Sequence, residues 1–138
     1  MKTSTTPKTL GFFELVTFPD FAKVGKIRAK IDTGAYTGAL HCTKIYEEDT
    51  KSGKVLHFSP FDHPESKLSV TEYDARYVRS SNGHRQLRYI INTQISIHGE
   101  TYPIVLSLAD RSEMKWPVLI GRRFLRNNNF LVDVAKKS

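Results

Sequence analysis

Only one segment of this chain, Arg122–Asn128, reads as a helix; nearly everything else is short extended runs cut by tight turns. That pattern constrains the fold more than any other feature. Many short strands separated by turn residues must bury their apolar faces in a sheet folded onto itself. Leu10–Phe18 and Ala22–Ile31 read as two strands joined by a turn at Pro19-Asp20, and Ala39–Tyr46 as a third, with Leu40, Cys42 and Ile45 as its apolar members. Glu47–Lys67 loses periodicity and gathers Glu, Asp, Lys, Ser, Gly and Pro, so a long excursion with a short strand at Val55–Phe58 is expected. Val70–Val78 and Gln86–Ile91 flank Ser80-Ser81-Asn82-Gly83, and Asn-Gly between extended runs is the strongest short hairpin signal. Thr93–Ile97 and Tyr102–Leu108 make a second hairpin around His98-Gly99-Glu100. Trp116–Ile120 is an apolar strand ending in Gly121; the helix then turns Phe124 and Leu125 to the core, and Phe130–Val134 is the last strand. The expected fold is all-β, a closed or partly closed barrel with one short C-terminal helix. With 138 residues the chain holds one domain, expected over residues 10–134, after a disordered lead-in at 1–9 and before a tail at 135–138.

Composition narrows the function classes. The only cysteine, Cys42, excludes an internal disulfide framework and suits a reducing compartment. The polar start lacks an apolar export segment and no stretch approaches membrane-spanning length, so a cytoplasmic protein without a membrane partner is expected. The net charge of +7 gathers around Lys26–Lys30, around Arg76, Arg79, Arg85 and Arg88, and around Arg111, Lys115, Arg122, Arg123 and Arg126. Such a balance favours acidic partners. The five histidines follow no His-Glu-x-x-His spacing, His57, Asp62 and His63 make only a loose composite, and no phosphate-binding glycine loop is present. Neither a metal nor a cofactor is expected. Cys42 beside His41 is not read as a catalytic pair, because neighbouring strand residues point to opposite faces.

Chemistry concentrates at Asp32-Thr33-Gly34-Ala35, directly after the run Lys26–Ile31. A carboxylate between a strand and a glycine turn can reach a ligand while the strand anchors its backbone. Gly34 leaves room for close approach, and Thr33 supplies a hydroxyl that can brace the loop. By itself the tetrapeptide is also an ordinary turn composition.

Three motifs in order give it weight. Lys30–His41 (KIDTGAYTGALH), Arg79–Gly83 (RSSNG) and Pro117–Val132 (PVLIGRRFLRNNNFLV) resemble a bacterial and archaeal family described as ATP-dependent zinc proteases and as retropepsin-like, of the type associated with ribosomal-protein modification. The resemblance spans roughly residues 10–134 and implies an acid-protease-like barrel. It implies that Asp32 is the catalytic aspartate, that Thr33 braces one active-site loop against its counterpart, and that Gly34 lets paired loops approach. It further implies a flap tip at Ser80–His84, with Ala35, Arg79, Ser80, Ser81, Asn82 and Gly83 toward substrate, and an apolar strand ending in Gly121 and Arg122 beneath the catalytic loop. Asp110 and Arg111, in the loop before that strand, are candidate cleft contacts. Where the retroviral pattern has an acid that holds the arginine, this chain has Tyr36; Arg122 then needs Asp110, Asp133 or a main-chain carbonyl. The residues support neither the zinc nor the ATP of the family label.

Hydrolysis by this route needs two carboxylates sharing a proton around one water, and the chain carries a single Asp-Thr-Gly. A homodimer is therefore expected, with Asp32 contributed twice across a two-fold axis, acting on a peptide or protein substrate of acidic character. The polar, basic flap fits such a substrate. Two other readings stay open: a retropepsin-like module that binds peptides without cutting them, and a basic nucleic-acid-binding barrel drawing on Tyr73, Tyr77, Tyr89 and Tyr102. The peptidase reading itself takes no nucleic acid as partner.

Overall fold

The computed structural model describes residues 6–61, 67–79, 83–110 and 116–137. The strands are β1 (Lys8–Val16), β2 (Ile27–Ile31), β3 (Gly38–Thr50), β4 (Gly53–Pro60), β5 (Leu68–Val70), β6 (Asp74–Arg79), β7 (Arg85–Ile97), β8 (Glu100–Ala109), β9 (Val118–Ile120) and β10 (Phe130–Lys137). One α-helix, α1 (Arg122–Asn127), and a 3-10 segment at Pro19–Val24 complete the described residues. The main path of the sheet runs β10-β1-β2-β9-β3-β8-β7-β6, with β4 and β5 branching from β3. It does not close on itself, so the architecture is the partly closed form of the expected all-β fold. An isolated bridge, Thr17 to Ser96, ties the end of β1 to β7.

Alternation explains the best-formed strands. In β7, Ile91, Thr93, Ile95 and Ile97 are buried while Asn92 and Gln94 face water, the period-2 signature of a sheet with one wet face. Ile104, Leu106 and Leu108 of β8 meet them from the neighbouring strand. Gly38–Cys42 of β3 is buried at every position, because that stretch is covered on both faces. Phe18 and Phe21 stack at 4.9 Å and close one end of the core, with Phe61 6.2 Å from Phe18. Near α1, Phe124, Phe130 and Tyr102 form a second aromatic cluster.

The structure corrects several sequence expectations. The excursion expected over Glu47–Lys67 is mostly a hairpin, since β3 runs on to Thr50 and returns as β4. Glu47–Thr50 is exposed throughout, so no apolar face marks the pairing in the sequence. Ala22–Lys26 is not strand: Pro19 starts a 3-10 turn, and Gly25 at φ +69° ends it before β2. Val70–Val78 splits into β5 and β6, which pair with different partners, whereas the runs on either side of Asn92 fuse into one long β7. Strand β1 begins at Lys8, two residues before the expected start, and β10 extends to Lys137, both in parallel register with each other. The start of the expected lead-in (residues 1–5), together with Asp62 and His63, lies outside the described residues.

One local topology positions the site. Strand β9 lies between β2 and β3, parallel to the first (Ala29 opposite Val118, Ile31 opposite Ile120) and antiparallel to the second (Leu40 opposite Val118). The chain leaving β9 must then cross the turn that leaves β2. Gly121 makes the crossing possible: a Cβ there would stand 2.6 Å from the Tyr36 carbonyl oxygen and 2.8 Å from that of Ala35. Both obstacles are backbone and cannot swing away. Gly121→Ala is expected to destabilise the fold by about 3 kcal/mol, the upper range for forced overpacking. Urea unfolding of the variant checks this; an unchanged midpoint would mean that the crossing is looser than drawn.

Candidate active site

Asp32 sits one residue beyond β2, and its amide N–H donates to the Ile120 carbonyl at 2.8 Å, the last rung between β2 and β9. The chain then turns, with the Ala35 N–H donating to the Asp32 carbonyl at 3.2 Å. The Gly34 N–H donates to Asp32 Oδ1 at 3.0 Å, a side-chain closure of the kind aspartate favours in turns. The carboxylate is thus oriented by its own loop. Asp32 is half-buried, while Thr33 and Gly34 are exposed at the crest. A Cβ on Gly34 would come within 3.3 Å of Oδ1 and crowd the carboxylate.

Beneath this turn, α1 begins. The Arg122 N–H donates to the Ala35 carbonyl at 2.8 Å and the Arg123 N–H to the Tyr36 carbonyl at 3.1 Å. The Arg122 side chain adds a bond from Nη1 to the Gly34 carbonyl at 3.1 Å, and its guanidinium lies 5.4 Å from the centre of the Tyr36 ring. Of the three partners the sequence left open for Arg122, the main-chain carbonyl is the one found. Tyr36 therefore holds the arginine by the negative face of its ring, where the retroviral pattern uses a carboxylate. Asp133, inside β10, instead accepts from the Ala135 N–H of its own strand at 3.0 Å.

The remaining sequence-predicted residues divide. Gly83 is exposed at φ +87°, as a hairpin turn requires, and the neighbouring Arg85 lies 4.3 Å from the centre of the Tyr77 ring. Arg79 ends β6 opposite Arg85. Ser80, Ser81, Asn82 and Arg111 lie outside the described residues. Asp110 is exposed, with Oδ1 3.9 Å from Nδ1 of the buried His41. Trp116 stacks on Phe13 at 4.1 Å beneath Arg28, and so packs on β1 and β2.

Two cavities open beside the Asp32 turn, and nothing in the sequence signalled them. One of about 330 Å³ is lined by Tyr36, Thr37, Asn92, Arg123, Phe124 and neighbours from β8 and α1. The other, about 530 Å³, is bounded by Thr37, Glu72, Asp74, Arg76, Asn92 and Arg123. They share Thr37, Asn92, Val105 and Arg123. These residues come from three elements and the loop before β3 and carry no common spacing, so only the folded chain brings them together.

Other reactive groups are engaged elsewhere. His57 places Nε2 2.7 Å from Glu48 and Nδ1 2.7 Å from the Ser69 hydroxyl. The Tyr73 and Tyr89 hydroxyls both donate to Glu47, at 2.6 and 3.1 Å, and Tyr102 packs on Phe124 and Phe130. The tyrosines noted in the sequence do not make one continuous stacking surface. Cys42 is fully buried, and that burial pushes its thiol pKa well up. In native protein at pH 8, iodoacetamide is expected to leave Cys42 unmodified and to label it only after unfolding, as intact-mass measurement would show. Replacing Arg122 with Ala removes both the Gly34 bond and the Tyr36 contact, at an expected cost of about 1–2 kcal/mol. Lysine should recover less than half of that in thermal unfolding, since it lacks the planar fork.

The geometry agrees with known proteins. A protein of Shewanella pealeana named as a probable alpha-L-glutamate ligase is 29% identical over 132 residues, which cover 92% of this chain and 28% of that protein. One of Desulfotalea psychrophila with the same name is 24% identical, over 93% of this chain and 28% of its own length. The chain thus spans little more than a quarter of these relatives. The crystal structure of a Legionella pneumophila protein of unknown function superposes with a TM-score of 0.74 at 26% identity, covering 96% of this chain and 97% of that one. Among the described residues no helix is long and apolar enough to cross a membrane. A family model for the retropepsin-like aspartic endopeptidase RimB matches residues 9–138, and the chain belongs to this RimB-like family.

Proposed function

We propose that this chain is one half of a homodimeric aspartic peptidase acting on glutamate-rich or glutamate-modified polypeptides. The observation that carries the reading is the Asp32 turn, a carboxylate pre-oriented by Gly34, raised on an exposed crest and fastened to β9 and α1. Each chain supplies one such carboxylate in an Asp-Thr-Gly setting. Two copies related by a two-fold axis would place Thr33 and Gly34 of each at the junction and bring the two Asp32 side chains around one water.

The chemistry then follows from the pair. Like charges about 3 Å apart cannot both ionise, so the dyad holds one proton and titrates as a unit. The ionised Asp32 takes a proton from the water as its oxygen attacks the peptide carbonyl carbon. The protonated Asp32 gives its proton to the carbonyl oxygen. On collapse, the Asp32 that took the water's proton gives it to the amide nitrogen, the C–N bond breaks, and a hydroxyl of the tetrahedral species gives its proton to the other Asp32, which restores a singly protonated dyad.

Two facts support an acidic substrate. The chain carries a net charge of +7, which draws anionic polymers to it. Its region also recurs as about a quarter of proteins named as probable alpha-L-glutamate ligases, beside which a peptidase acting on glutamate chains would fit.

Asp32→Asn is expected to lower cleavage of a glutamate-rich peptide by about a hundred- to ten-thousandfold, the span of a general acid–base contribution, while leaving peptide binding in place. Mixing wild type with excess Asp32→Asn protein should also extinguish wild-type turnover, because mixed dimers hold one carboxylate. Activity that survives the substitution, or that ignores the added variant and dilution, would overturn the shared-dyad reading. Wild type that binds but never cuts would leave the non-catalytic module in its place.

A further inference from the structure

Arg122 and Arg123 are adjacent in sequence but differ in their engagements. Arg122 gives a hydrogen bond to the Gly34 carbonyl and so belongs to the frame of the catalytic turn. Arg123 contributes its backbone N–H to that frame, while its side chain lines both cavities beside the turn. Its guanidinium rests 6.0 Å from the centre of the Tyr36 ring, and among the described residues no carboxylate pairs with it. The other cation of the larger cavity, Arg76, has Asp74 within 3.7 Å. Thr37 and Asn92 add a hydroxyl and an amide to the same shared wall.

We propose that Arg123 is a specificity-determining residue that reads an acidic side chain of the bound peptide from this double cavity. The inference rests on the peptidase reading for the position of the peptide, and it assigns the acidic preference to one residue. Tyr36 and Thr37 connect the catalytic turn directly to the cavity wall, so an extended peptide crossing Asp32 carries a side chain a few residues from the scissile bond to Arg123. A guanidinium is suited to a carboxylate because it offers paired donors in a fixed fork. Stacking on Tyr36 holds that fork in place, which reduces the ordering needed on binding. Glu72 lines the larger cavity too, and its charge opposes the same ligand. The two residues therefore have opposite effects on one selectivity.

The test uses the full chain carrying Asp32→Asn, so that binding is read without turnover. The probes are a hexaglutamate peptide and its hexaglutamine counterpart, compared by calorimetry at fixed ionic strength. Arg123→Gln is expected to weaken hexaglutamate binding about tenfold, the size of one charge-assisted hydrogen bond, and to leave hexaglutamine within twofold. Arg123→Lys should recover part of the loss, and Glu72→Gln should tighten hexaglutamate alone. Equal weakening of both peptides, no weakening, or a parent protein with no preference for hexaglutamate would each overturn the assignment. Thermal unfolding of each variant identifies any loss that comes from misfolding, and the lysine variant retains the test if glutamine does not fold. Because nothing in the measurement requires hydrolysis, an Arg123-dependent preference in a protein whose wild type never cuts would refute the peptidase and keep the binding site.

Discussion

Everything at the candidate site depends on two chain segments crossing with no side chain between them. Strand β9 is held between β2 and β3, and the backbone that leaves it at Gly121 passes directly against Ala35 and Tyr36. Four hydrogen bonds fasten the crossing: Asp32 to Ile120, Arg122 to Ala35, Arg123 to Tyr36, and the Arg122 side chain to Gly34. Three of them are backbone pairs, each modest alone, but they act on one short loop with few remaining freedoms. A carboxylate on such a loop is positioned before any ligand arrives. Preorganisation of that kind is what an acid–base site requires, because a group that must first be ordered gives up part of its catalytic advantage.

With Tyr36 where the retroviral pattern has an acid, the arginine is held by a ring face and a main-chain carbonyl. A carboxylate partner would add a second negative charge close to Asp32. A ring face attracts the guanidinium through its quadrupole and brings no net charge. The arrangement keeps Arg122 against the turn and leaves Asp32 as the acid of the motif. It also lets one aromatic ring serve two cations, with Arg122 on the frame side and Arg123 on the cavity side.

The readable parts of this protein were those in which one local rule governed. The runs Gln86–Ile91 and Thr93–Ile97 and the apolar Trp116–Ile120 segment were legible as extended chain, although their fusion through Asn92 was not, and the ordered motifs around Asp32, Gly83 and Gly121 pointed to the family. Where both faces of a hairpin are wet, as from Glu47 to Lys54, pairing leaves no apolar trace and the sequence looks like loop. The partner of Arg122 was underdetermined for a different reason: a main-chain carbonyl has no signature in composition. The double cavity was invisible because Tyr36, Asn92, Val105 and Arg123 meet only through tertiary contacts between segments up to 87 positions apart, the separation of Tyr36 and Arg123 in the sequence.

An exposed Asp-Thr-Gly crest also has a consequence for when such a site becomes active. In a single chain Thr33 and Gly34 face water and Asp32 is half-solvated, so its carboxylate is stabilised by water. Pairing two crests would remove that water and force two like charges together, which costs free energy unless one proton is taken up. Under the proposed pairing, association would therefore take up one proton. On the peptidase reading the isolated chain is inert because its chemistry is incomplete, and the same proton that completes the dyad helps to hold the two halves together.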